Sequence, residues 1–175
     1  MPAPIEIVDY DPLWPVKFAE ERERLLGVLG EWLRGPIEHI GSTAVPGLRA
    51  KPVIDVMAGV GTLAASRGAI PVLGELDYQY WPYKSDVMHW FCKPSDEVRT
   101  HHLHLVPVGS VLWVERLAFR DRLRADASAR SAYTSLKDAL ASRYREDREA
   151  YTEGKTDFVR RLVALELQPT LSKRG

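Results

Sequence analysis

The sequence is nearly devoid of cysteine: Cys92 stands alone among 175 residues. A single thiol excludes an intramolecular disulfide framework and a zinc ribbon, and it suits a reducing compartment, so a cytoplasmic location is expected. Charge of one sign is not in excess either, since Lys plus Arg and Asp plus Glu number 24 each. That balance supplies no global field toward nucleic acid or an anionic membrane, and any basic site must be local. No apolar run approaches the roughly 20 residues of a membrane span. Residues 1–9 lack the cationic start and apolar run of a secretory signal. Neither a nucleic-acid nor a membrane partner is expected.

Apolar residues make up 45% of the chain, enough for one core without disulfides or metals. One domain over 1–175 is expected, with a sheet core at about 1–108 and a helical tail at about 109–168. Residues 5–10 read as extended and 11–14 as a turn. A helix starts near Pro15, carries Phe18, Leu25, Leu29 and Trp32 on one stripe, and stops at Gly35-Pro36. Strands are predicted at 37–40, 53–58, 78–83, 89–92 and 101–108. Thr62 caps a helix split by Gly68 and Pro71. From Ser110 the period becomes helical, giving helices at 112–124, 128–144 and 148–167, the second capped by Asp126. The fold class is α+β: a mixed sheet with flanking helices and a C-terminal three-helix segment.

Asp55 is out of place in Val53-Ile54-Asp55-Val56-Met57, because a carboxylate in a buried strand needs a partner. One reading is a salt bridge to Lys51, Arg49 or Arg99; the other is metal ligation. Gly41-Ser42-Thr43, at the end of the preceding strand, favours the second: small residues there let backbone amides approach a phosphate, beside a carboxylate that can hold a divalent ion.

Several motifs carry a family resemblance: Tyr10-Asp11-Pro12-Leu13-Trp14-Pro15, His39-Ile40-Gly41-Ser42-Thr43-Ala44-Val45-Pro46-Gly47-Leu48, and Lys51-Pro52-Val53-Ile54-Asp55-Val56. With His102-Leu103-His104, Phe119-Arg120-Asp121 and the run from Tyr151 to Lys155, the chain resembles the GrpB family of nucleotidyltransferase-fold proteins over nearly its whole length. The resemblance implies kinship with a domain fused to some bacterial dephospho-coenzyme A kinases. In the wider superfamily a Gly-Ser turn contacts phosphates, and two acids one residue apart bind magnesium with a third from a later strand. Gly41 and Ser42 match the turn and Asp55 the first acid. Met57 replaces the second, and residues 100–108 offer no acid, so the third position falls to His104 or is missing.

Strand alternation puts His102 and His104 on one face, with His101, Leu103 and Leu105 on the other. The pair can reach one ion or phosphate, or accept a proton, or simply pack on the sheet; His39 and His89 read as structural. In the tail, Arg120, Lys137 and Lys155 fall on apolar stripes. They either snorkel or face a shared anion in the Asp55 cleft.

The expected function is transfer of a nucleotidyl group from a nucleoside triphosphate to a small-molecule acceptor, with magnesium as cofactor. Ser42, Asp55 and His104 are the catalytic candidates, and Asp55 and His104 the metal ligands. Gly41, Ser42, Thr43, Lys51, His102, Arg120, Lys137 and Lys155 are the nucleotide and phosphate contacts. The alternative is a non-catalytic module binding a nucleotide or coenzyme precursor. A metal hydrolase on His102 and His104 is a third reading.

Overall fold

The computed structural model describes residues 4–167, so the outermost ends of the expected domain, 1–3 and 168–175, lie outside the described residues. Helix α1 (Trp14–Leu29) follows a turn in which the Leu13 amide donates to Asp11 Oδ1 at 2.9 Å. Pro15 sits in its first turn, where the missing N–H has no ladder partner to lose. The strands are β1 (Leu33–Ile40), β2 (Ile54–Val60), β3 (Gln79–Trp81), β4 (His89–Pro94) and β5 (Arg99–Pro107). Between β2 and β3 lie the short helix α2 (Ala69–Val72) and a 3₁₀ turn, Leu73–Leu76. The tail comprises α3 (Val111–Ala125), α4 (Ala127–Arg143), α5 (Arg148–Glu153) and α6 (Thr156–Leu167).

The five strands form one mixed sheet in the order β1-β2-β5-β4-β3, with β2 and β5 parallel and the other neighbours antiparallel. Each face is covered. On one, Leu25 and Leu29 of α1 pack with Val56, Ala58, Leu103, Leu105 and Phe91. On the other, Met57, Trp90 and Val106 meet Trp113 of α3. A third cluster joins Phe119, Tyr133 and Leu162 of the tail to Val45 and Leu48, so the loop after β1 is clamped by the helices.

One buried ion pair links α1 to the sheet. Lys93 Nζ donates to Glu21 Oε1 at 2.6 Å, and the Tyr78 hydroxyl donates to the same oxygen at 2.9 Å.

Several boundaries differ from the sequence reading. Residues 5–10 form no named strand; Val8 and Ala50 exchange backbone bonds of 2.9 and 3.0 Å in an isolated bridge. Gly35-Pro36 lies inside β1 rather than between elements, because β1 is an edge strand with a register shift between Leu33 and Ile37, where a missing donor is tolerated. The helix expected after Thr62 is mostly turn, although Thr62 Oγ1 does accept from the Ala65 amide at 3.1 Å. Asp126 caps α4 as expected, accepting from the Ala129 amide at 3.0 Å. The third tail helix is broken in two at Gly154 and Lys155. A side chain at Gly154 would place its Cβ 2.5 Å from Leu140 Cδ2, so glycine lets this joint press against α4.

Candidate functional site

The site forms where β1 ends and β2 and β5 begin. Ile40, Asp55, His102 and Cys92 lie in one register row across four strands. Directly after Ile40 the chain turns at Gly41 with φ of +72°, and a Cβ there would lie 2.5 Å from Asp55 Oδ2. Both conformation and space therefore require glycine. A 3₁₀ turn, Ser42–Ala44, follows. Thr43, expected to contact phosphate, directs its hydroxyl inward: it donates to the Val53 carbonyl at 3.3 Å and accepts from His39 Nε2 at 2.9 Å. His39 stacks on Phe18, and burial lowers its pKa to about 4. His89 bonds the Leu63 carbonyl at 2.9 Å, so both isolated histidines have structural partners.

Asp55 pairs with none of the three cations considered for it. Arg49 bonds Asp9 at 3.0 Å and Asp138 at 2.7 Å, Arg99 pairs with Asp96 and lies over Trp90, and Lys51 makes no ion pair among the described residues. The partners are two histidines. His102 Nδ1 donates to Asp55 Oδ1 at 2.9 Å, and His104 Nε2 lies 3.7 Å from the same oxygen. Burial alone would raise the Asp55 pKa, but the hydrogen bond from His102 and the His104 ring nearby outweigh it and hold the carboxyl well below its usual range. The Asp55 side chain is 28% exposed, that of His102 14% and that of His104 6%.

His104, expected as a catalytic or metal-binding group, sits deepest. Its Nδ1 is 3.4 Å from Met88 Sδ, and burial takes its pKa to about 4 against the pull of Asp55. His102 is different. An ionised carboxylate only accepts, so Nδ1 carries the shared proton and Nε2 keeps its lone pair when the ring is neutral. Nε2 of both histidines is buried without a hydrogen-bond partner; that of His104 faces Asp55 Oδ1, and that of His102 is the position a ligand can satisfy. Leu103 and Leu105 lie on the opposite face, beneath α1, as alternation requires.

Cations gather around this acid. Lys137 is buried in α4; it donates to Ser42 Oγ at 3.2 Å and to the Arg49 carbonyl, and lies over Tyr133, whose hydroxyl also reaches Ser42. Lys155, at the break between α5 and α6, lies 4.2 Å from the Tyr151 ring centroid, and Lys51 lies 5.1 Å from the same centroid. Burial, then the charge of Lys51, lowers the Lys155 pKa to about 7; burial lowers that of Lys137 to about 8. Arg120 does not join them. Its guanidinium is taken up by Glu38 at 2.6 Å, Asp121 at 2.7 Å and the His39 carbonyl, which ties α3 to β1. Arg116, one turn earlier on α3, lies close enough for its charge to depress the pKa values of His104 and Lys155. It was missed in the sequence because Arg120 fitted the apolar stripe better, although their i, i+4 spacing puts both on one side of the helix.

The residues present do not fit magnesium held by the protein. Met57, in place of the second acid, is wholly buried in the apolar layer with Ile40 and Trp113. Oδ1 of the one carboxylate is shared by the two histidines, and Oδ2 lies close beside Gly41. Among the described residues no three His, Cys, Asp or Glu side chains are grouped to hold an ion. Lys51, Lys155 and Arg116 add positive charge where a second cation would have to sit. The same donor set gives no support to a metal hydrolase. Among the described residues no helix is long and apolar enough to cross a membrane.

Comparison with known proteins places the chain. A UPF0157 protein of Pseudomonas aeruginosa is 39% identical over 170 residues, covering 95% of this chain and 69% of that protein. A dephospho-CoA kinase of Mycolicibacterium paratuberculosis is 28% identical over a match that takes in 90% of this chain and 45% of that longer protein. The crystal structure of conserved protein GrpB from Enterococcus faecalis superposes with a TM-score of 0.84 at 28% identity, covering 93% of this chain and 98% of that one. The family model described as GrpB protein matches residues 4–164, and the chain belongs to the GrpB family.

Proposed function

We propose that this site binds the phosphates of a nucleoside triphosphate in the cytoplasm and transfers the nucleotidyl group to a small acceptor hydroxyl. The observation that carries the reading is the Asp55–His102 pair beneath Gly41, with His102 Nε2 unpartnered and lysines around it. Asp55 fixes the ring and its tautomer and stabilises the imidazolium that forms on proton uptake. His102 Nε2 takes the acceptor's proton as its oxygen bonds to the α-phosphorus; the bond from that phosphorus to the bridging oxygen breaks, and pyrophosphate leaves. Such chemistry needs positioning and charge neutralisation more than covalent help. Ser42, held by Lys137 and Tyr133, serves as a fixed wall of the phosphate site rather than as a nucleophile.

Met57 favours a second reading, a binding module without turnover, since the superfamily's acidic pair is incomplete. The dephospho-CoA kinase relative suggests a coenzyme precursor as its ligand. A screen of nucleoside triphosphates against small acceptors, scored by pyrophosphate release, separates the two. Release that depends on His102 supports transfer. Thermal protection by a nucleotide or coenzyme precursor without release supports the module.

A further inference from the structure

Three cations near Asp55 and Lys155 have no carboxylate within ion-pairing distance among the described residues: Lys51, Lys155 itself and Arg116. Lys51 leads into β2 and Lys155 sits at the α5–α6 break, both against the Tyr151 ring, and the charge of Arg116 on α3 acts on Lys155. Tyr151 is nearly fully buried and holds both ammonium groups against its ring. Bringing like charges together opposes folding unless an anion compensates them. Asp55 favours the charged forms of both lysines, and its Oδ1 is already shared by His102 and His104. Lys137 is set apart, being committed to Ser42 and the Arg49 carbonyl.

We infer that Lys51, Lys155 and Arg116 form a phosphate seat that takes over the charge-neutralising role of a divalent ion, so that a pyrophosphate or triphosphate group binds here without metal. The inference rests on the proposed phosphate-binding function and deepens it. Ammonium and guanidinium groups neutralise phosphate oxygens by charge-assisted hydrogen bonds, and Arg116 adds a planar fork that two oxygens can share. Lys155 sits at the break after Gly154, where its ammonium lies over the Tyr151 ring.

The test is calorimetric titration of the full chain with inorganic pyrophosphate and tripolyphosphate, in EDTA and again in magnesium. Binding is expected in EDTA, weakened about tenfold or more by Lys155→Met and by Arg116→Met, with each variant melting no lower than the parent. Binding that requires magnesium overturns the inference while leaving the phosphate-binding function standing. Unchanged affinity in both variants overturns it too. If neither polyphosphate nor any nucleoside triphosphate binds under either condition, the proposed function fails along with it.

Discussion

Asp55 Oδ1 and His102 Nδ1 lie 2.9 Å apart on paired residues of the parallel strands β2 and β5. Asparagine at position 55 retains an oxygen that accepts from Nδ1 but loses the charge that supports an imidazolium. Asp55→Asn should therefore fold and cut pyrophosphate release at least about a hundredfold. The folded-state pKa of Asp55 is depressed, so its contribution to stability is present above the unfolded carboxyl value and lost as pH falls through the folded one. Melting temperatures over about pH 2–5 should show the parent losing more stability in acid than Asp55→Asn. Parallel acid limbs would contradict this account.

Gly41→Ala tests the turn. At φ of +72° and ψ of −172° the backbone is in a region essentially confined to glycine, which costs an L-residue about 1–3 kcal/mol. The new Cβ must also displace Asp55 Oδ2, 2.5 Å away. Urea unfolding should report a loss of at least that size, and polyphosphate binding should fall with it. A variant with parental stability and affinity would show that Asp55 does not depend on the turn.

Much of this arrangement was legible in the sequence, because period-two alternation alone puts His102 and His104 on one face and Leu103 and Leu105 on the other. Gly41-Ser42 and Asp55 were likewise placed by a turn signal between two apolar runs. The identity of the Asp55 partner was not legible. Lys51, Arg49 and Arg99 were near in sequence or strand, but which group faces a carboxylate depends on strand order, and β5 lies beside β2 although almost 40 residues intervene between them. Arg120 and Arg116 illustrate the same limit: helical spacing gives the face, while the neighbouring Glu38 decides which guanidinium is consumed. The split at Gly154 was hidden because the apolar period runs through it, and only packing against Leu140 shows why glycine is there.

Glu21 and Lys93 make a prediction about stability away from the Asp55 site. Their charged groups are buried and 2.6 Å apart, with Tyr78 donating to the same carboxylate oxygen. Removing one partner leaves the other charge buried and uncompensated. Glu21→Ala should cost about 3–5 kcal/mol in urea unfolding. Glu21→Leu combined with Lys93→Met should recover most of that loss, since neither charge then remains. Additive losses in the double variant would argue that the pair contributes independently through other contacts.

Lys155 supplies the last prediction, because its charge is costly in the ligand-free protein. The amine is sunk beside Tyr151, and the groups that face it are Lys51, Lys137 and Arg116, which oppose its protonation, and Asp55, which favours it. Its pKa falls from 10.5 unfolded to about 7 folded. The sign follows from proton counts: between those values the unfolded chain holds the proton and the folded chain does not, so stability rises with pH through that window. Below about 7 both states carry the charge, and the folded state bears the whole cost of burying it. Lys155→Met keeps the stem's volume and removes the ammonium, so it should stabilise the ligand-free protein near pH 6 by about 1–3 kcal/mol. Each kcal/mol corresponds to about 2–4 °C in Tm for a chain of this size. The advantage should shrink as pH approaches 10, where the parent's amine is neutral when folded. Lys51 and Lys137 shift in the same direction, so a weaker rise with pH should persist in the variant. Melting curves at matched ionic strength across this range decide the matter: a Lys155→Met variant less stable than the parent at pH 6, or a gap that widens with pH, would show that the ammonium is paired and contributes to the fold rather than awaiting an anion.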